Sequence, residues 1–427
     1  MRFIGLDVHR AFCEVALAVD GVVSSAGRIE STPAALGLFA QSLDRSDRVA
    51  LEATSNALAI AAILRPHVER VVLVDPKAAK GVVGGKKTDK IDARFLAQLL
   101  AGGFAPEVWA PDASTATLRR RLSRRRNLVK HRTREKNQVH AALMRNLRER
   151  PPMTDVFGVK GRAWLAQQVL PADEREMVDA CLRQIDFLDA EVALLDKSIA
   201  EQVLASEEAR RLLTLPGVNV ISAAALVAAT GDIARFPTPR HLVSYLGLNP
   251  KVRQSGSEPA KHGRISKQGS GEARHALVEA AWHAARSTGP LRAFWQRTAA
   301  RRGANVATVA VARKLVVIAW HMLTKGEDYA FARPSLTREK IRKLELLVGA
   351  ERRKGKRNPV RIFATAEQHR LEKELARQAE VAYSRLVEDW QPRRRKAGAG
   401  ATPGRASQRP SKGKAARQTS KPQQSAL

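Results

Sequence analysis

Asp89 and Asp92 stand three residues apart in VVGGKKTDKIDARFLAQLLAGG, the stretch from Val82 to Gly103. At that spacing two carboxylates share one face of a helix and repel each other unless a cation lies between them. Asp7 interrupts the apolar run FIGLDV, and Glu52 closes RVALE. A carboxylate inside a half-buried strand also calls for a compensating cation. Four acids drawn from two neighbouring strand ends and a crossing helix form the donor set expected for two Mg2+ ions about 4 Å apart, which stabilise the attacking and leaving oxygens of an in-line phosphodiester displacement. Taken singly, each acid has a plainer reading: Asp89 as a helix cap or first-turn residue, Asp92 as a partner of Arg94 or Lys87, Glu52 as a surface strand end, Asp7 as a turn residue. Strand alternation puts His9 on the side of Asp7, where it reads as a packing or hydrogen-bonding group, since Mg2+ prefers oxygen.

The elements around these acids decide where they can meet. RFIGLDVHR, FCEVALAVDG and VVSSAGRIE are three short β-rich runs separated by turn residues, the pattern of a meander. A helix follows Pro33, then RVALEAT (48–54) as a strand, a helix from Asn56 to about Pro66, and RVVLVDP (70–76) as another strand. Three antiparallel strands followed by β-α-β alternation is the layout of an RNase H-like (RuvC-like) α/β domain, assigned to residues 1–112. Residues 113–206 read as two long helices. The first carries apolar positions Leu118, Leu122, Val129, Val139, Leu143 and Leu147; the second, 172–205, has a seam of Leu182, Ile185, Leu188, Val192, Leu195 and Ile199. Helices of this length predict an antiparallel hairpin or an intermolecular coiled coil, hence a candidate oligomerisation stalk.

Residues 207–330 read as a second compact, mostly helical unit. It opens with LLTLPGVNVISAAALVAA, a helix, a Pro-Gly-Val turn and a small-residue helix, which resembles a helix-hairpin-helix element that binds backbone phosphates through turn N–H groups and a helix N-terminus. A Gly/Ser/Pro-rich loop, NPKVRQSGSEPAKHGRISKQGSGEARHAL, then interrupts the helices and places Lys251, Arg253, Lys261, Arg264 and Lys267 around Ser255, Ser257 and Ser266. These cations read as nucleic-acid backbone contacts, and Ser266 as the cap of the helix after GRIS. Segment 331–390 is predicted to be helical and highly charged, and 391–427 a disordered basic tail.

The formal charge of the 427-residue chain is +32. It is unevenly placed: residues 1–112 hold 13 Lys+Arg against 13 Asp+Glu, 113–150 hold 13 against 2, and 391–427 hold 10 against none. Such a field attracts a polyanion through counterion release. Arg119, Arg120, Arg121, Arg124, Arg125 and Arg126 form a basic helix face, a track for an RNA or DNA backbone that carries no sequence code of its own. No apolar run is read as long enough to span a membrane, and MRFIGLDVHR lacks the features of a secretory signal, so the expected location is cytoplasmic, at the nucleoid. Cys13 and Cys181 lie far apart and outside any metal or disulfide spacing, and both read as buried small apolar residues.

GLDVHR (5–10), LEATSN (51–56), VDPKAAKG (74–81), KTDKIDA (87–93), LPGVNVISAAAL, RHLVSYLGLNPKVRQSG and GRISKQGSGEARHAL together resemble the DEDD-type insertion-sequence transposases of the insertion-sequence one-ten family, bridge-RNA-guided serine recombinases. The resemblance spans roughly residues 2–330. It implies a DEDD tetrad of Asp7, Glu52, Asp89 and Asp92 binding Mg2+, and a nucleophilic serine at Ser255 that forms a covalent phosphoserine link with DNA. It also implies that these groups come from different subunits of a homo-oligomer, a dimer or tetramer joined through the stalk, and that a guide RNA reads sequence. The segment beyond 330 is not covered. Two other readings stay open: a metal-only RuvC-type nuclease in which Ser255 is structural, and a non-catalytic nucleic-acid-binding scaffold. A tyrosine nucleophile would have to be Tyr245, Tyr329 or Tyr383, and Tyr245 in LVSYLGL reads as core.

Overall fold

Residues 1–76, 88–256, 258–352 and 365–389 are described by a computed structural model. Strands β1 (Phe3–Val8), β2 (Phe12–Val19) and β3 (Val22–Glu30) form the expected meander, followed by α1 (Pro33–Gln41), β4 (Arg48–Glu52), α2 (Ala57–Leu64) and β5 (Arg70–Val74). The sheet is mixed, in the order β3-β2-β1-β4-β5, with β4 parallel to both β1 and β5. Alternation sends Ile4, Leu6 and Val8 to one face, where they pack with Val49, Leu51, Leu36, Ile60 and Leu64 beneath α1 and α2.

Gly5 and Asp7 fall on the other face, under α3 (Asp89–Ala101). A Cβ on Gly5 would lie 2.1 Å from the Ala93 carbonyl oxygen and 2.5 Å from the Ala97 nitrogen, so only glycine lets the helix backbone rest on β1. Ala16 and Ala18 of β2 continue this small-residue floor against Ala93 and Ala97. The Thr88 hydroxyl caps α3 by accepting from the Ile91 N–H at 3.3 Å, which leaves Asp89 and Asp92 in the first turn, above the end of β1. Acids in that turn also complement the helix dipole.

Trp109, just after the sheet, is clasped between Arg235 and Arg119, whose guanidinium carbons sit 3.9 and 4.8 Å from its ring centroid. Then α4 (Ala113–Arg145) runs antiparallel to α6 (Ala172–Ala205), with α5 (Val159–Ala166) between them in sequence. The Asp112 side chain accepts from the Thr115 N–H to cap α4, and hydrogen bonds from Thr115 hold its carboxyl down at about 2. Arg125–Asp196, Arg132–Asp189 and Arg145–Glu174 zip the two helices along their length. The α6 seam follows the sequence reading, but in α4 Leu128, not Val129, is the fully buried residue, and Leu147 is 92% exposed just beyond the helix end.

The remaining elements are α7 (Glu207–Leu212), α8 (Val220–Thr230), α9 (Pro239–Tyr245), β6 (Pro250–Arg253), β7 (Lys261–Ile265), α10 (Gly271–Arg286), α11 (Pro290–Arg302), α12 (Ala304–Lys325), α13 (Pro334–Leu347) and α14 (Ala366–Glu388). Two expectations are corrected here. The segment read as a loop pairs with itself: β6 and β7 form an antiparallel ribbon, Arg253 opposite Lys261. And α12 is, by length and composition, long and apolar enough to cross a membrane, a run the sequence reading did not recognise because Arg313 and Lys314 interrupt it. Its Val311, Leu315, Val316 and Ala319 are fully buried in the core of this unit.

Beyond residue 330, two glutamates of α14 bind helix N-termini, one on α13 and one on α11. Glu372 accepts from the Ser335 N–H at 3.0 Å, and Glu380 accepts from the Gly289 N–H and from Arg292 Nε, both at 2.9 Å. The basic tail 391–427 lies outside the described residues.

Candidate active site

Asp7 is 8% exposed at the end of β1. One oxygen of Asp7 lies 3.1 Å from His9 Nε2, and the same nitrogen is 3.3 Å from Asp89 Oδ1. Asp7, His9 and Asp89 thus offer one donor atom each within 4.8 Å of one another. Burial pushes the Asp7 carboxyl above the usual carboxylate range; the nearby His9 opposes this, and Asp92 and Asp89 push it further up. A buried acid facing two others is a place where added positive charge stabilises the ionised form.

Glu52 reaches the site by register. The β1–β4 ladder pairs Leu6 with Leu51, so one step further Glu52 ends its strand level with Asp7. The structure therefore places Asp7, Asp89 and His9 together directly, brings Asp92 into their field, and sets Glu52 on the adjacent strand end.

Two residues beside this cluster, Glu14 and Arg28, were not singled out from the sequence. Glu14 stands opposite Asp7 in the β1–β2 register and is fully buried. Its Oε2 accepts from Arg28 Nε at 2.7 Å, while Arg28 also lies over the Phe12 ring and 3.9 Å from Asp89 Oδ2. The signal was available: Glu14 interrupts the apolar run FCEVALAV just as Asp7 interrupts FIGLDV.

The serine loop is built in the opposite way. Ser255 is exposed beyond the end of β6, beside Gly256, whose φ is +57° and around which a Cβ would meet nothing within 4 Å. Lys251, Arg253, Lys261, Arg264 and Lys267 are all exposed along this ribbon and its base. Ser257 lies outside the described residues. Ser266 does not cap the next helix: its hydroxyl bonds Asn249 Oδ1 at 2.9 Å, and Ser270 caps α10 instead. Arg274 was also overlooked; it gathers the Leu246, Gln268 and Gly269 carbonyls and so ties the base of the ribbon to α10. The Tyr245 ring packs 5.2 Å from that of Phe236, and burial pushes Tyr329 up to about 12.

The arginine row of α4 divides. Arg119 donates to the Ala228 and Ala229 carbonyls, Arg121 to the Ser198 carbonyl and Arg125 to Asp196, all part-buried. Arg120, Arg124 and Arg126 remain exposed.

Comparison with known proteins follows the same two regions. A DEDD IS110 transposase family model matches residues 4–146, and one described as the transposase IS116/IS110/IS902 family matches residues 209–296. The probable family 20 transposase of Pseudomonas aeruginosa is 30% identical over 302 residues, 66% of this chain and 85% of the relative. The transposase for insertion sequence element IS1111A of Coxiella burnetii is 27% identical over 268 residues, 60% of this chain and 72% of the relative. A pilin gene-inverting protein of Moraxella bovis is 29% identical over 224 residues, 49% and 58% of the two chains. With the acid-bearing sheet and the serine ribbon each falling inside a matched region, the chain belongs to the IS110/IS116/IS902 family of insertion-sequence transposases, enzymes of DNA transposition and recombination.

Proposed function

We propose that the sheet is an RNase H-like nuclease fold whose acids Asp7, Glu52, Asp89 and Asp92 hold divalent cations, Mg2+ by preference. What supports this is the donor set: carboxylate oxygens meet at one strand end, and burial with like charge makes Asp7 costly to ionise without a cation. A bound divalent ion would supply Lewis-acid polarisation of a phosphate oxygen. Arg28, paired with Glu14, holds Asp89 toward that position, and α3, seated on Gly5, fixes its height over the sheet. On this reading Ser255 is the nucleophile: its Oγ gives its proton to water and bonds to the DNA phosphorus, the 3′ or 5′ oxygen of the broken strand leaves and is protonated, and a strand hydroxyl later displaces the serine, which regains its proton. The exposed cations of the ribbon hold the backbone, and Arg120, Arg124 and Arg126 extend that track. We further propose that a guide RNA reads the target, and that a second copy, packed through α4 and α6, brings its ribbon to this acid cluster.

The single observation behind the reading is the approach of Asp7 and Asp89 on an RNase H-like strand order. Its test is purification with co-purifying RNA, followed by incubation with element-end DNA and Mg2+. A covalent protein–DNA adduct mapped to Ser255 is the expected result, abolished in Ser255→Ala. Cutting by Ser255→Ala at the unaltered rate would mean water attack by a metal-only nuclease.

A further inference from the structure

The turn between α7 and α8 bends so that the carbonyls of Leu213, Leu215 and Val218 converge on one point. These three residues are 1%, 1% and 2% exposed, so water cannot serve their oxygens freely. Gly217, at φ +80°, presses the turn against α10, where a Cβ would lie 2.1 Å from the Ala280 oxygen. The point is occupied by the ammonium of Lys340, which reaches in from α13 and donates to the three carbonyls at 2.7, 3.0 and 2.8 Å. Among the described residues no carboxylate pairs with this lysine. Burial draws its pKa down to about 8, so at neutral pH it is still charged.

A lysine ammonium has three N–H donors, and here each meets one carbonyl dipole; a positive charge without an anionic partner is held by oxygen dipoles alone, as a bare cation is. We infer that the α7–α8 hairpin is a carbonyl cage for a monovalent cation of ammonium or potassium size, and that the segment beyond residue 330 fills it from within the chain by inserting Lys340. The segment then completes the hairpin instead of hanging from it. This holds whatever reaction the chain performs, and it accounts for the way α13 is held: Glu372 of α14 binds the N-terminus of α13 at Ser335, and Glu380 of the same helix binds the body at Gly289.

The test uses the full chain with Lys340→Ala, which removes the ammonium and leaves room for an ion. Thermal unfolding is followed in choline, potassium and ammonium chlorides at equal ionic strength. The variant should melt several degrees lower in choline and recover as potassium or ammonium is raised, because an ion that binds only the folded state stabilises it by mass action. The unaltered protein and Lys340→Met, whose side chain fills the space, should melt alike in all three salts. Equal melting of Lys340→Ala in the three salts overturns the inference. Should that variant fail to fold in any salt, amine acylation of the unaltered protein decides: exposed Lys343 should react at least about tenfold faster than Lys340, and equal rates overturn the cage.

Discussion

The acid cluster and the serine ribbon are held in contrasting ways. Asp7 and Glu14 are at most 8% exposed, on the sheet face that α3 covers through Ala93 and Ala97. Ser255 and its five cations stand in solvent on a two-stranded ribbon anchored at its base by Arg274. A site that must hold like charges together needs rigid walls, because repulsion would otherwise spread them. If the ribbon grips a polyanion and delivers a hydroxyl, as proposed above, it gains from being exposed, since its partner completes it.

The largest expected effect breaks the rigid half. Asp7→Asn keeps the shape of the side chain but removes its charge, and strand cleavage should fall about a thousandfold, a drop of roughly 4 kcal/mol in transition-state stabilisation. The melting temperature of the variant without metal should not fall, because the buried charge is relieved. An active Asp7→Asn would remove the acid cluster from the mechanism.

Next comes packing. Gly5→Val drives a branched side chain into the α3 backbone and should cost about 3 kcal/mol or more in urea unfolding. On the ribbon, Gly256→Ala strains only the local φ, about 1 kcal/mol, with no clash to relieve. Equal costs at the two glycines would erase the contrast between a walled site and an open one.

The arginines of α4 sharpen the same comparison. Arg120→Ala with Arg124→Ala should leave stability within about 0.5 kcal/mol and lower the salt slope of nucleic-acid binding by about 1 for each arginine removed from a phosphate. Arg125→Ala should do the reverse, weakening stability by up to about 1 kcal/mol through its Asp196 pair while barely changing the slope. The smallest effect is at the cap of α4. Asp112→Ala should cost about 1 kcal/mol at neutral pH. The carboxyl is held below its unfolded value, so its stabilising contribution is complete above pH 4 or so and fades as pH falls through about 2, where wild type and variant should converge.

Much of the architecture was legible because its signals are local. Alternation in FIGLDV and FCEVALAV, the turn residues between them and the Ile185–Leu188–Val192–Ile199 seam depend only on strand and helix periods, and each element lies where those periods put it. Asp7, Glu52, Asp89 and Asp92 stood out because a charge in an apolar run, or two acids on one helix face, is conspicuous before any fold is known. What the chain alone did not disclose was pairing at long range. PKVR finds KHGRI, the arginines of α4 divide between carbonyls and solvent, Glu14 meets Arg28, and Lys340 finds three carbonyls more than a hundred residues away. An isolated stretch of sequence states which groups a segment carries and how often they recur. Whether a given charge is used inside the protein or kept for a partner depends on which surface packs against it, and that is settled only when distant segments close on one another and water is excluded between them.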